Sequence, residues 1–408
     1  MHATGIGGGG FMLVRDSNGS YEFIDFRETA PAASYETMYD NNLNASKYGG
    51  LASGVPGELR GLEYLHTKYG SLPWKDLLEP AIGIANYGFT VGRDLNYSMD
   101  GIQNDALFLS PPWAPDFAPT GKRVRPGQPL SRKRYADVLL AVSDNGVDAF
   151  YTGPIARATI AALRAANGTM TMEDLSSYQV VVRTPKSMDY RGYRLISGGA
   201  PSGGIVALSI LKIHGASYVA ISDASGMAVS LTSTVNLPFS SQLMVPETGI
   251  IMNNAMSDFS VLHSTNAFDF IPSPANSIKP GKRPLSSISP IIVEYANNNT
   301  LHVVMGADGC SRTITMAVQG IWNIIDRDVN AYQAVVKLTF HDQLIPNETM
   351  FESAFDHSTI ADMEARGHTP AWLDHGSDLQ IVRRLSNGTF EAASDPRQVE
   401  SGAYAVKT

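Results

Sequence analysis

Hydrophobic and polar positions alternate along two short runs in the middle of the chain. The runs YVAIS and MAVSLTS place apolar or β-branched residues beside small or polar ones with a period of two, which predicts two β-strands. Between them, Asp223, Ala224, Ser225 and Gly226 are residue types favoured in tight turns. The pattern therefore predicts a β-hairpin over residues 218–233.

Apolar periodicity bounded by Pro, Gly or Ser predicts helices elsewhere. These are a helix that opens in 53–59 and runs to about residue 69, a helix over 74–87 closed by Gly88, a helix over 154–166 with Pro154 in its first turn, a capping box at 171–174, an apolar helix after the Gly/Ser segment 198–204, and a helix that ends near residue 325. Further strands are predicted at FMLVR and over 179–184, 193–197, 291–295 and 301–305.

Four consecutive glycines, residues 7–10, precede the strand FMLVR and allow two interpretations. A phosphate-binding loop would need a strand before the glycines and a Gly-Lys-Ser/Thr after them, and neither is present. Glycine also permits close backbone packing because it has no Cβ. The second interpretation is favoured.

Composition narrows the functional classes. The chain has 408 residues, 43% of them hydrophobic, and a formal net charge of −8 without a basic block, so nucleic acid is not an expected partner. No run approaches the roughly 18 apolar residues of a membrane helix. Cys310 is the single cysteine, which excludes an internal disulfide. The nine histidines show no metal-ligand spacing, so we predict no metal and no cofactor.

The chain contains seven Asn-x-Ser/Thr sequons, which is mild support for a glycoprotein on the secretory route. They lie at Asn18, Asn44, Asn96, Asn167, Asn298, Asn347 and Asn387. The first residues do not form a charged-then-apolar leader. We therefore expect either a cytosolic protein or one whose N-terminal segment lies outside this sequence.

Several motifs together resemble the γ-glutamyltransferases, also called glutathione hydrolases. They are GIGGGGFMLVR, the DFRE segment, SGVPGE, YGSLPWKDLLEPAI, TSTVN, an NN-x-x-x-DF segment and PLSS. The resemblance implies an α+β class and a four-layer αββα N-terminal-nucleophile hydrolase fold, here incomplete. It also implies glutathione and other γ-glutamyl compounds as substrates, amino acids or water as acceptors, and an extracellular, vacuolar or membrane-associated location.

The resemblance assigns substrate-binding roles residue by residue. Arg27, Ser286 and Ser287 would hold the α-carboxylate of the glutamyl group, and Asn236 and Asp258 would hold its α-ammonium. Ala255 stands where the family has an ammonium-binding glutamate. A guanidinium suits the carboxylate because it binds two oxygens at once.

At the reacting end the resemblance places Ala216 at the position of the N-terminal threonine nucleophile. Thr234 matches a threonine that supports it, and Gly309 and Cys310 match the oxyanion-hole glycines. A threonine nucleophile needs its hydroxyl both for self-cleavage and for attack on substrate, and alanine has none. Ser217 has a hydroxyl but is one residue out of register, and adjacent strand residues point to opposite faces.

The join near residue 213 resembles the family with a block of well over a hundred residues omitted, and several tens more are not represented before Met1. We therefore expect residues 1–213 to correspond to the large subunit and 214–408 to the small one, together forming one αββα domain. Three interpretations stay open: an active glutathione hydrolase, a non-catalytic glutamyl-binding pseudoenzyme that has lost self-processing, and a fragment that does not fold.

Overall fold

Two β-sheets form the centre of the molecule. The computed structural model describes residues 2–102, 105–210, 219–266, 270–373, 378–398 and 400–406. Its strands are β1 Gly9–Arg15, β2 Tyr21–Asp25, β3 Phe89–Thr90, β4 Pro129–Leu130, β5 Val181–Arg183, β6 Lys186–Tyr190, β7 Tyr193–Ser197, β8 Val219–Ser222, β9 Ala228–Thr234, β10 Ile291–Tyr295, β11 Leu301–Asp308, β12 Phe340–Asp342, β13 Thr349–Glu352, β14 Pro370–Leu373, β15 Asp378–Arg384 and β16 Phe390–Ser394.

Helices surround these strands. They are α1 Glu58–Tyr69, α2 Trp74–Tyr87, α3 Arg93–Asp100, α4 Ala106–Leu109, α5 Ala114–Phe117, α6 Lys133–Asn145, α7 Asp148–Tyr151, α8 Gly153–Ala165, α9 Met172–Ser176, α10 Gly204–Ile210, α11 Thr313–Ile325, α12 Ala331–Val335 and α13 His357–Ala365. Short 3₁₀ helices lie at Leu43–Ser46, Gly50–Ala52, Ala255–Asp258, Pro274–Asn276 and Cys310–Arg312. Among the described residues, no helix is long and apolar enough to cross a membrane.

The two large sheets each combine strands from both parts of the chain. The first has the order β5-β2-β1-β9-β8 and the second the order β16-β15-β11-β10-β7-β6. Strand β9 pairs antiparallel with β1 along seven residues, from Gly9 opposite Thr234 to Arg15 opposite Ala228. Residues 1–213 and 214–408 therefore share both sheets.

Buried apolar clusters show four layers. Phe11, Phe23 and Ile292 belong to a cluster that joins the two sheets face to face. Helices α10, α11 and α12 pack on the far side of the second sheet, and α1 packs through Leu65 and Tyr69 on the far side of the first. This arrangement confirms the expected αββα architecture.

Most of the predicted elements are present. The 74–87 helix is α2 with Gly88 as its C-cap, the 218–233 hairpin contains β8 and β9, and the capping box at Thr171 is formed with Asp174. Strand β11 extends three residues beyond the predicted end at 305. The helix expected to open in 53–59 begins at Glu58.

The glycines before β1 act in backbone packing, as the favoured interpretation expected. A Cβ at Gly8 would collide with the Thr234 carbonyl oxygen, and one at Gly10 would collide with the Thr232 carbonyl oxygen. Gly9 and Gly10 belong to the strand itself. Glycine is therefore required where β1 meets β9.

Candidate active site

A cavity of about 540 Å³ opens where the ends of the two sheets meet the loops between them. Six of the residues singled out from the sequence line it: Arg27, Thr234, Asn236, Asp258, Ser286 and Ser287. They come from the segment after β2, the end of β9, a 3₁₀ helix and the loop before β10. The fold thus brings together side chains up to 260 positions apart in sequence.

Arg27 is the centre of a buried charge cluster. Its guanidinium donates to Glu28 Oε2 at 3.0 Å and also donates to Asp258 Oδ2. The Arg27 side chain is 1% exposed, and its Nε has no hydrogen-bond partner. A buried donor without a partner is unfavourable, so this nitrogen favours an acceptor from a ligand.

The pKa values of the two carboxyl groups in this cluster, Glu28 and Asp258, are both raised. Burial raises the pKa of Glu28, and the adjacent Arg27 opposes that shift. Burial also raises the pKa of Asp258, against the effect of Arg27 and of a hydrogen bond from Asn236. A ligand ammonium beside Asp258 would favour its charged form.

The backbone around Arg27 is fixed by neighbouring charged groups. The Arg27 amide donates to Asp25 Oδ1 at 3.0 Å, and the Tyr178 hydroxyl donates to the Arg27 carbonyl at 2.8 Å. Arg283 donates to the same carbonyl at 2.9 Å and to Asp25 Oδ1 at 3.0 Å. Arg27 is therefore held from both its main chain and its side chain.

Asn236 turns the chain at the end of β9 and faces Asp258. Its φ is 84°, a left-handed conformation that asparagine tolerates better than most residues. The Asn236 amide side chain donates to Asp258 Oδ1 at 3.0 Å and to Ser257 Oγ at 3.0 Å. Thr234 Oγ1 accepts from the Asn236 main-chain N–H at 2.8 Å. These bonds set the geometry of the expected ammonium end.

The serine loop is tied to the rest of the site at both sides. The Ser286 N–H donates to the Pro201 carbonyl at 2.9 Å, and Ser286 Oγ accepts from the Ile288 N–H at 3.2 Å. Asn276 Oδ1 accepts from the Leu285 N–H at 3.1 Å, and Asn276 Nδ2 donates to the Asp258 carbonyl at 2.7 Å. Asn276 therefore connects the loop directly to the Asp258 segment.

Asn253 has a structural role that the sequence did not reveal. Its buried amide donates to the carbonyls of Gly7 and Gly54 at 2.8 and 2.7 Å, and it accepts from the N–H groups of Gly54 and Ala255 at 2.9 and 3.1 Å. It joins the glycine segment before β1 to the 3₁₀ helix that carries Asp258. Its place in the NN-x-x-x-DF segment was the only sequence signal.

The remaining predicted positions that the structure describes do not line this cavity. Ala255 is fully buried and is absent from the cavity lining. Ala216 and Ser217 lie outside the described residues. Gly309 has a φ of 131° and does not line the cavity, and Cys310 begins the short 3₁₀ helix before α11. The oxyanion-hole assignment therefore stays a prediction.

The lining suits a zwitterionic amino-acid group. Arg27 and the two serine hydroxyls can meet a carboxylate, and Asp258 can meet an ammonium. No cluster of three or more His, Cys, Asp or Glu suited to a metal occurs in the part of the chain that the structure describes. The arrangement can bind and orient such a ligand.

Comparison with known proteins gives consistent matches. A family model described as Gamma-glutamyltranspeptidase matches residues 1–215 and 211–405. A glutathione hydrolase proenzyme of Arthroderma benhamiae is 43% identical over the whole chain and 84% of its own length. A glutathione hydrolase of Aspergillus flavus is 37% identical, over 98% of this chain and 82% of that protein. The structure of a cephalosporin acylase from Bacillus halodurans, 24% identical, covers the whole chain and 88% of its own with a TM-score of 0.86, which shows a shared fold.

The matches also show a difference in length within the aligned region. The alignment with the Arthroderma protein spans 492 positions for a chain of 408 residues, so about 84 positions of that relative have no counterpart here. The family model matches in two pieces that overlap at 211–215. The block expected to be omitted near residue 213 stays a prediction.

Proposed function

Because the chain belongs to the γ-glutamyltranspeptidase family, we propose that it binds the γ-glutamyl group of glutathione-like compounds and does not cleave it. The observation that carries this proposal is the 540 Å³ cavity, whose lining combines Arg27, Asp258, Asn236 and the two serines. These side chains complement both charges of an α-amino acid. Because these relatives are named glutathione hydrolase, we expect the ligand to carry its glutamyl group as a γ-glutamyl amide.

The proposed loss of cleavage rests on position 216. Ala216 precedes Asn236, the asparagine of the TSTVN segment, by 20 residues. The family resemblance puts the nucleophile at the same distance from that asparagine, which supports Ala216 as its counterpart. A methyl group can neither attack a carbonyl nor split the preceding peptide bond.

Calorimetry and an activity assay on the full 408-residue chain test both halves of the proposal. We expect L-glutamate to bind, no release of nitroaniline from γ-glutamyl-p-nitroanilide, and a single uncut polypeptide on a denaturing gel. Asp258→Asn should weaken glutamate binding by about 10- to 100-fold, since a charge-assisted bond contributes roughly 1.5–3 kcal/mol. Asp189→Asn, at a carboxylate 72% exposed, is the control.

The other outcomes separate the alternatives. Release of nitroaniline from a chain split before residue 216 would establish an active hydrolase. A cooperative melt without glutamate binding would refute the binding proposal. A chain without any cooperative melt would be the non-folding fragment.

A further inference from the structure

The cavity has a polar end and an apolar wall. The apolar side chains of the wall are partly exposed to solvent, so a ligand can contact them. Ile205 and Val206 on α10 are 39% and 42% exposed, Leu285 is 45% exposed, and Ile271 is 60% exposed. All four line the cavity, as does Ile314 on α11. Large apolar side chains that converge on one cavity are typical of a site for an apolar group.

The wall is attached to the polar end through short links. Leu285 directly precedes Ser286, whose N–H is bonded to the Pro201 carbonyl. The Gly203 N–H donates to the Ile288 carbonyl at 2.9 Å, and α10 begins at the next residue. A ligand bound at Ser286 and Ser287 would therefore lie close to the first turn of α10, which carries Ile205 and Val206.

The cavity is larger than a free amino acid requires. Its volume of about 540 Å³ falls in the range of roughly 300–1,000 Å³ typical of sites for drug-sized ligands. The space beyond Arg27 and Asp258 must therefore take whatever is attached to the glutamyl group.

The charges of the lining discriminate between possible attachments. Arg27 and His2 are the basic side chains among the described lining residues. Burial lowers the pKa of His2 to about 4, so it is neutral at pH 7. Arg27 is the one lasting cation of that lining, and the α-carboxylate takes it. A second carboxylate, such as that of a glycine residue in glutathione, would find no second cation among the described lining residues, and beside the apolar wall an ionised group without a counter-charge is unfavourable.

We infer that this site prefers γ-glutamyl amides of apolar amines, such as aromatic or alkyl amines, over γ-glutamyl peptides that end in a carboxylate. The inference rests on the proposed binding of the γ-glutamyl group. It adds a preference for the group attached to the γ-glutamyl carbonyl. The names of the relatives do not give this preference.

Titration calorimetry with two ligands that share the same head tests this preference. We expect γ-glutamylanilide to bind about 10-fold more tightly than γ-glutamylglycine at pH 7, since burial of an aromatic ring contributes at least a factor of this size. Equal or tighter binding of γ-glutamylglycine would overturn the inference.

A designed switch sharpens the test. Ile205→Lys places a cation in the wall and should strengthen γ-glutamylglycine binding while weakening γ-glutamylanilide binding, so that the ratio of affinities falls at least 10-fold. The control is Leu140→Lys, a helical apolar residue 47% exposed and outside the cavity lining, which should leave the ratio unchanged.

The result separates this inference from the proposal on which it rests. If glutamate binds and the two amides bind alike, or Ile205→Lys leaves their ratio unchanged, only the preference is refuted. If glutamate and both amides fail to bind, the glutamyl site itself is refuted and the preference with it.

Discussion

The two ends of the proposed glutamyl site differ in how many atoms each depends on. At the charged end, Arg27 and Asn236 both donate to Asp258, and the Arg27 main chain also donates to Asp25. At the reacting end, the proposal depends on one hydroxyl, and position 216 is an alanine. A function spread over many contacts can persist when a function carried by one atom is lost.

The comparison also explains why binding and turnover should separate. At the charged end, hydrogen bonds join the segment after β2, the end of β9 and the 3₁₀ helix Ala255–Asp258, so it is stabilised by several parts of the fold. Placing a nucleophile needs one residue at a chain terminus that self-cleavage creates. In this chain the family-model match divides into two pieces that overlap at 211–215, directly beside that position.

The largest expected effect comes from supplying the hydroxyl. Ala216→Thr should produce a chain that splits after Gly215 and releases nitroaniline from γ-glutamyl-p-nitroanilide, with a rate on the order of 10⁴-fold above the parent, since removal of a nucleophile costs enzymes that much or more. Electrophoresis and the anilide assay measure both steps.

The matched control is Ala216→Val, which has nearly the shape of threonine without the hydroxyl and should stay uncut and inactive. A threonine variant that also stays uncut would show that the omitted block, and not the side chain, limits the reacting end. The charged and reacting ends would then differ in the completeness of a chain segment and not only in the loss of one hydroxyl.

The second effect concerns the charged end. Arg27→Met should lower the free energy of unfolding by about 3–5 kcal/mol, because removing one partner leaves buried carboxylates uncompensated. The same variant should lose detectable glutamate binding. Urea unfolding and calorimetry measure these two quantities.

Arg27→Lys is the control for charge alone. It keeps the positive charge, loses the planar two-sided donor geometry, and should retain more stability than affinity. If Arg27→Met unfolds at the same urea concentration as the parent, the cluster is not the stabilising centre that its contacts indicate.

The sequence predicted these two ends unequally well. Helix α2 was bounded correctly because its apolar run is closed by Gly88. Strands β8 and β9 lie within one residue of the predicted bounds because turn residues interrupt the alternation. The binding residues were found through the family resemblance, since Ser286 or Asn236 alone has no distinctive local pattern. The second sheet's neighbours β12–β14 and helices α3–α7 were missed.

What could not be predicted depends on tertiary contacts. The apolar run of α10 predicts a helix, but the run does not tell which residues face a cavity, and Ile205 and Val206 do so because α10 starts beside the serine loop. Asn253 is one polar residue in a motif until the fold sets Gly7 and Gly54 on either side of its amide. Neither outcome follows from local periodicity.

The smallest expected effect concerns the face of β9 that lies away from the cavity. Ser233 points away from the cavity and donates to Glu58 Oε2 at 2.7 Å. Burial raises the pKa of Glu58 from its usual 4.5 to about 8, against the effect of this bond. Between these two pH values the folded chain holds a proton that the unfolded chain releases, so stability falls as pH rises from 4.5 to 8.

Glu58→Gln should remove that dependence. Between pH 5 and pH 7 the parent should lose about 2 kcal/mol of stability relative to the variant, while the two bind glutamate equally at either pH. Urea unfolding at both pH values, paired with calorimetry, checks each part. A change in glutamate affinity would show that Glu58 affects the ligand through Ser233. The two faces of β9 would then not have separate roles in binding and in stability.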